Sequence, residues 1–212
     1  MKTKPTIEDL HDPTKFEMFA SFDQSRIKEF VLQQVMSDKK IIPVYMIYQT
    51  LLFLTGIFFF TRAIILAYRG NFIYLLISIG AVLFSLTLLV AIHELLHGMA
   101  LKLAGAPKVT FGGILQKFIF FAEAENFILG KTSFLFVAFT PFVLVQVITV
   151  LGIIFWYSAP LLFFFMIVMV IHSFFCSGDV ALVTIFYRFP GRETFTYDNS
   201  REKKSFYFVR KR

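Results

Sequence analysis

Long apolar runs limit what this chain can become more than any other feature. Four stretches, 41–60 with an extension to 68, 72–92, 133–157 and 161–187, hold almost no charge. At 1.5 Å per residue, about twenty helical residues cover the roughly 30 Å hydrocarbon core of a bilayer. Each run is long enough to do so. Hydrophobic residues make up 57% of the 212, with 30 Phe among them, more apolar surface than a soluble domain of this size can hide. The expected fold class is an all-α membrane protein with four transmembrane helices and the lipid bilayer as its solvent.

The connections support this division. Gly70-Asn71 is a turn signal between the first two runs, and Ser158-Ala159-Pro160 is a tight link between the last two. The second helix is expected to continue past Ile92 to Leu103 and to stop at Gly105-Ala106-Pro107. Pro141 lies inside the third run, where membrane helices tolerate it as a kink. Trp156 and Tyr157 end that run as interfacial anchors. Residues 109–130 differ: Gly112-Gly113 breaks the stretch, Phe118 to Phe121 is aromatic, and Ala122 to Phe127 alternates small or apolar with charged. This is too polar and short to span. It reads as a strand-like, hairpin or re-entrant segment between spans two and three, with an ordinary interfacial loop as the alternative.

Outside the runs, residues 1–40 form a polar segment with a possible amphipathic helix over Glu17 to Met36, or a mobile tail. Residues 41–187 form the membrane domain, and 188–212 a basic tail. The N-terminal segment lacks the apolar core of a signal peptide. The net charge of +7 points to membrane orientation, with no nucleic acid expected as a partner, because the cations lie in tails and loops. Of 21 Lys and Arg, 19 fall in the two tails and the loop between spans two and three, and only Arg62 and Arg69 on the other side. The positive-inside rule then puts both termini in the cytoplasm of a multi-pass cell-membrane protein.

At the end of the second run stands His93-Glu94-Leu95-Leu96-His97. Two histidines four apart on a helix point to one side, a spacing that suits two ligands of one Zn²⁺. Glu94 beside them is placed to take a proton from a metal-bound water as general base. Ionisable groups within a membrane helix are costly and mark function. A catalytic zinc needs a third protein ligand. His93 lies roughly 31 Å along the second helix from Phe72, and Asp179 roughly 27 Å along the fourth from Leu161, at similar depth. A lone Asp in an apolar span needs a strong partner, and a metal ion is one. Asp179 is therefore the favoured third ligand, with His172, Glu123 and Glu125 as alternatives. His172 should sit about 10 Å higher by helical rise. His172, Cys176 and Asp179 share one face at i, i+4 and i+7. His172 reads as a channel-lining group or as a neutral histidine bonded between helices. Cys176, the only cysteine, reads as packing.

These residues, with the Gly-rich segment, the Pro-kinked span and Ser177-Gly178-Asp179, resemble the small bacterial membrane family described as putative zincin peptidases. More distantly, they resemble the site-2 proteases, which cleave within the membrane. The resemblance covers roughly residues 44–187 and implies His93, His97 and Asp179 as zinc ligands and Glu94 as catalytic base. Site-2 proteases carry Asn-Pro-x-x-Asp-Gly around the third ligand. Here Cys176-Ser177-Gly178-Asp179-Val180 stands instead, which leaves the oxyanion stabiliser unassigned.

The function expected is a zinc-dependent intramembrane-type metalloprotease. It would act on a membrane protein or peptide substrate held extended along residues 109–127. The alternative is a non-catalytic binding or scaffold protein whose polar cluster is structural. A transporter would want polar residues through several spans, and the first and third do not supply them.

Overall fold

The computed structural model describes residues 4–114 and 119–212. It is mostly helical. The chain runs α1 (Ile7–His11), β1 (Phe16–Asp23), α2 (Ile27–Ser37), α3 (Ile41–Tyr68), α4 (Ile73–Leu86), α5 (Leu88–Leu103), β2 (Thr110–Ile114) and β3 (Ile119–Glu123). It continues through β4 (Leu129–Gly130), α6 (Lys131–Phe155), α7 (Leu161–Phe175), α8 (Ser177–Thr184), β5 (Thr194–Asn199) and β6 (Lys204–Arg210).

Helices α3, α6 and the continuous stretch Leu161–Tyr187 are long and apolar enough to cross a membrane. A fourth crossing is formed if α4 and α5, bent by 42° at their junction, count as one span. The single second helix expected from the sequence is therefore broken at Thr87. Its hydroxyl donates to the Leu83 carbonyl at 2.6 Å, while its N–H falls back to Phe84 at 3.4 Å. Such back-bonding competes with the i−4 ladder and bends helices.

Two compact units are distinguished within the chain. One comprises the described residues of Met1–Asp38, His97–Ala138 and Asp179–Arg212; the other, Lys39–Leu96 and Phe139–Gly178. The second is helical. Its core clusters Ala81, Leu89, Val145, Ile167 and Val168. Small residues permit close approach: a Cβ at Gly56 would come 3.1 Å from Val170, and one at Gly152 would enter the Phe165 ring. Gln49 donates to the Ser173 carbonyl at 2.6 Å and accepts from the Ser173 hydroxyl at 2.9 Å, so the polar groups of α3 and α7 satisfy one another. Val44, Ile47, Leu51, Leu54 and Phe58 on α3 stay exposed. A contiguous apolar face of this kind fits lipid, not water.

The first unit corrects the all-α expectation. It holds a four-stranded antiparallel sheet in the order β1-β6-β5-β4. Both tails enter it: Phe16 pairs with Arg210, Asp23 with Lys204, and Thr194 with Val209. The reason lies in residue type. Thr194-Phe195-Thr196-Tyr197 and Ser205-Phe206-Tyr207-Phe208-Val209 are rich in aromatic and β-branched residues that suit a pleated, half-buried surface. Reading that segment as a charged tail overlooks this pattern. One side buries Leu10, Phe16, Ile128, Tyr197 and Phe208 together. Another cluster joins Ile185, Phe186 and Tyr207 with Phe19, Phe22 and Phe30. The helix expected over Glu17 to Met36 is confined to α2, because Glu17 to Asp23 belong to β1. The strand-like segment between spans two and three is the antiparallel pair β2–β3, with Thr110 opposite Glu123 and Gly112 opposite Phe121. Phe118 lies outside the described residues.

Candidate metal centre

Helix α5 runs unbroken through the motif, so His93 and His97 stand one turn apart on the same side of it. Both are buried, with 6% and 8% of their surface exposed, and Glu94 between them is half-buried. Gly98 follows. A Cβ there would overlap the Phe111 ring of β2, so this glycine lets the β2–β3 pair lie directly against the helix beside His97.

His97 is defined by two contacts. Its Nδ1 lies 3.0 Å from the carbonyl oxygen of Val137. A carbonyl only accepts, so Nδ1 carries a proton and donates. The other nitrogen, Nε2, faces Asp179 Oδ1 at 3.4 Å. With Nδ1 protonated in the neutral ring, Nε2 presents a lone pair toward a carboxylate oxygen. Two electron-rich atoms in that position require a cation or a proton between them. A charge-assisted N–H···O hydrogen bond closes to about 2.7–2.9 Å. Two ligands bound at about 2.0–2.1 Å in a zinc tetrahedron stand about 3.3–3.4 Å apart. The observed separation matches the second arrangement.

Asp179 stands in the first turn of α8, within the continuous stretch Leu161–Tyr187. His93, His97 and Asp179 form a group that could hold a metal ion. Two imidazoles and a carboxylate are a donor set suited to zinc with a fourth position left open. The residues present therefore fit the ion.

His93 is held differently. Its Nδ1 lies 3.2 Å from His172 Nε2, with the rings tilted by 59° and their centroids 5.3 Å apart. The sequence-based depth of His172, about 10 Å higher, is thus corrected by its contact with His93. That count assumed straight helices, and the bend at Thr87 removes the assumption. Cys176 Sγ lies 3.7 Å from His172 Nδ1 and 3.8 Å from its Nε2. His93, His172 and Cys176 make a second group capable of holding a metal. The i, i+4 spacing of His172 and Cys176 is visible in the sequence, but their approach to His93 is not. The Val137 carbonyl leaves no sequence signal at all.

Glu123 and Glu125 belong to neither metal-capable group among the described residues. Glu123 accepts from Gln24 Nε2 at 3.1 Å and from the Ser200 hydroxyl at 3.0 Å. Glu125 forms a bridge with Asp198 and lies 3.6 Å from Arg201. Both are occupied in the sheet unit. No curated protein and no solved structure matches the chain. A family model does, over residues 86–193, from the end of α4 through the motif and Asp179 to the edge of β5. The chain belongs to the family described as "Putative zincin peptidase", whose name assigns it to the zinc peptidases.

Proposed function

We propose that the protein is a membrane-embedded zinc metallopeptidase that hydrolyses a peptide bond in or next to a membrane segment of a protein substrate. The observation that carries this reading is the approach of His97 Nε2 to Asp179 Oδ1 at a ligand–ligand separation. It joins the motif to an acid from a different apolar stretch. His93, His97 and Asp179 would hold the ion. Zinc bound there supplies Lewis acidity, polarising a carbonyl and lowering the pKa of water. Glu94 takes the proton of the attacking water on a carboxylate oxygen and passes it to the leaving amine. The Val137 carbonyl keeps the His97 ring in the tautomer that leaves Nε2 available.

A peptide bond locked in a helix is poorly accessible, so the substrate must be extended. The β2–β3 pair is a two-stranded sheet, and its packing beside Gly98 supports substrate capture by strand addition close to the motif.

The sheet also supports the membrane topology. Strand β1 precedes α3, β4 lies between α5 and α6, and β5 and β6 follow α8, yet all four share one sheet. A shared sheet is consistent with the two tails and the middle loop lying on one side of a bilayer. This favours counting the bent α4–α5 pair as one span, which would give four crossings. The Lys and Arg count puts that side in the cytoplasm.

The test is metal analysis and cleavage in purified, detergent-solubilised protein. Wild type should carry roughly one zinc per chain. Glu94→Gln should keep the zinc and abolish cleavage of a membrane-anchored reporter. Wild type without metal after gentle purification overturns the reading. A Glu94→Gln variant indistinguishable from wild type would instead make the protein a non-catalytic membrane scaffold.

A further inference from the structure

We propose that His93, His172 and Cys176 form a second metal site, with two nitrogens and one sulfur, which takes a thiophilic cation such as Cd²⁺, Cu⁺ or surplus Zn²⁺. The site lies within the helical unit. His172 and Cys176 are completely buried, four residues apart at the end of α7, and His93 reaches them from α5. One ligand atom from each of the three lies within 4.8 Å of the others.

The separations favour metal binding. Zinc–nitrogen bonds of about 2.0–2.1 Å and a zinc–sulfur bond of about 2.3 Å at tetrahedral angles place N and N about 3.3–3.4 Å apart, and N and S about 3.5–3.6 Å apart. The observed values are 3.2 Å for His93 Nδ1 to His172 Nε2 and 3.8 Å for His172 Nε2 to Cys176 Sγ. Cys176 Sγ lies within hydrogen-bond range of both His172 nitrogens, at 3.7 and 3.8 Å, and would move toward His93 and His172 Nε2 to become a ligand. Imidazole with thiolate selects soft and borderline cations over Mg²⁺ or Ca²⁺. On binding, the Cys176 thiol proton leaves to solvent and the sulfur coordinates as thiolate.

The two metal-capable groups share His93, and a neutral imidazole has one lone pair. A cation on Nδ1 takes up the ring's one lone pair, so the neutral ring has none left for the group containing His97 and Asp179. A thiophilic cation in the second site therefore displaces zinc from the first and switches the peptidase off. This competition, unlike the site itself, rests on the peptidase reading of His93.

The experiment titrates metal-stripped, full-length protein in detergent with Co²⁺. A near-ultraviolet thiolate-to-cobalt charge-transfer band is expected in wild type. It should persist in the His97→Ala/Asp179→Ala double variant and vanish in Cys176→Ser and His172→Ala. Cys176 is the only cysteine, so the band has one possible origin within the chain. Visible cobalt absorption that persists in Cys176→Ser shows that variant to be folded, and Cys176→Ala replaces it if it is not. Absence of the band from both wild type and the double variant overturns the site. The competition is read by adding Cd²⁺ to zinc-loaded protein with a chromogenic chelator present. About one zinc should be released per Cd²⁺ bound in wild type and none in Cys176→Ser. Cd²⁺ that binds without releasing zinc overturns the competition. A His97→Ala/Asp179→Ala/Cys176→Ser triple variant that retains zinc as wild type does would instead sink the peptidase reading and leave the thiolate band standing.

Discussion

His93 and His97 are one helical turn apart, yet they are held by different kinds of partner. The His97 ring is fixed by a main-chain carbonyl, Val137, within the unit that contains the sheet. The His93 ring meets a side chain, His172, within the helical unit. A carbonyl persists whatever residue stands at 137, and it can only accept. An imidazole can be removed by one substitution, and it can donate, accept or bind a metal. One end of the motif is thus anchored by backbone, and the other remains open to side-chain chemistry.

The largest effect that would sharpen this contrast is at the ligands. In a Cys176→Ser background, which closes the second site, Asp179→Ala should lower zinc from roughly one per chain to nearly none after dialysis, read by atomic emission. Normal zinc in that variant would break the link between His97 and the acid. Next in size is the difference between the two anchors. His172→Ala should weaken zinc binding about 10–100-fold, the usual cost of losing the partner of a metal-bound histidine. Val137→Ala should change it less than about twofold, since the carbonyl stays. Equal effects from the two would erase the distinction.

The smallest effect concerns the sheet that belongs to the His97 unit. Burial pushes the Asp198 carboxyl up to about 6; the Ser205 hydroxyl opposes the shift and the Glu123 carboxylate adds to it. Its folded-state pKa lies above the unfolded value of about 3.9, so its contribution is complete below that value and is lost as pH rises through about 6. Asp198→Asn should therefore stabilise the sheet by about 1–2 kcal/mol at pH 8 and by little at pH 4, measured by thermal unfolding. A pH-independent difference would overturn this assignment.

Much of the architecture was legible because its causes are local. Apolar length located α3, α6 and the 161–187 stretch, and Gly70-Asn71 and Ser158-Ala159-Pro160 marked the turns. The Gly112-Gly113 interruption marked the strand pair. The sheet leaves little trace in the sequence because its strands are short and distant in the chain. The charges of Arg188 to Arg212 masked the alternation that makes β5 and β6. The bend at Thr87 lies within an otherwise uniform apolar run, where residue type does not signal it.

The site divides in the same way. Sequence alone determined that His93 and His97 share a helical face, since a 3.6-residue period is a property of the backbone, and it narrowed the acid to a few candidates. Only the tertiary structure decided that Asp179 meets His97, that Glu123 and Glu125 are engaged elsewhere, and that His172 and Cys176 stand against His93. Those are contacts between segments remote in the chain. Packing and helix bends set them, and no local pattern of residues encodes where two such surfaces meet.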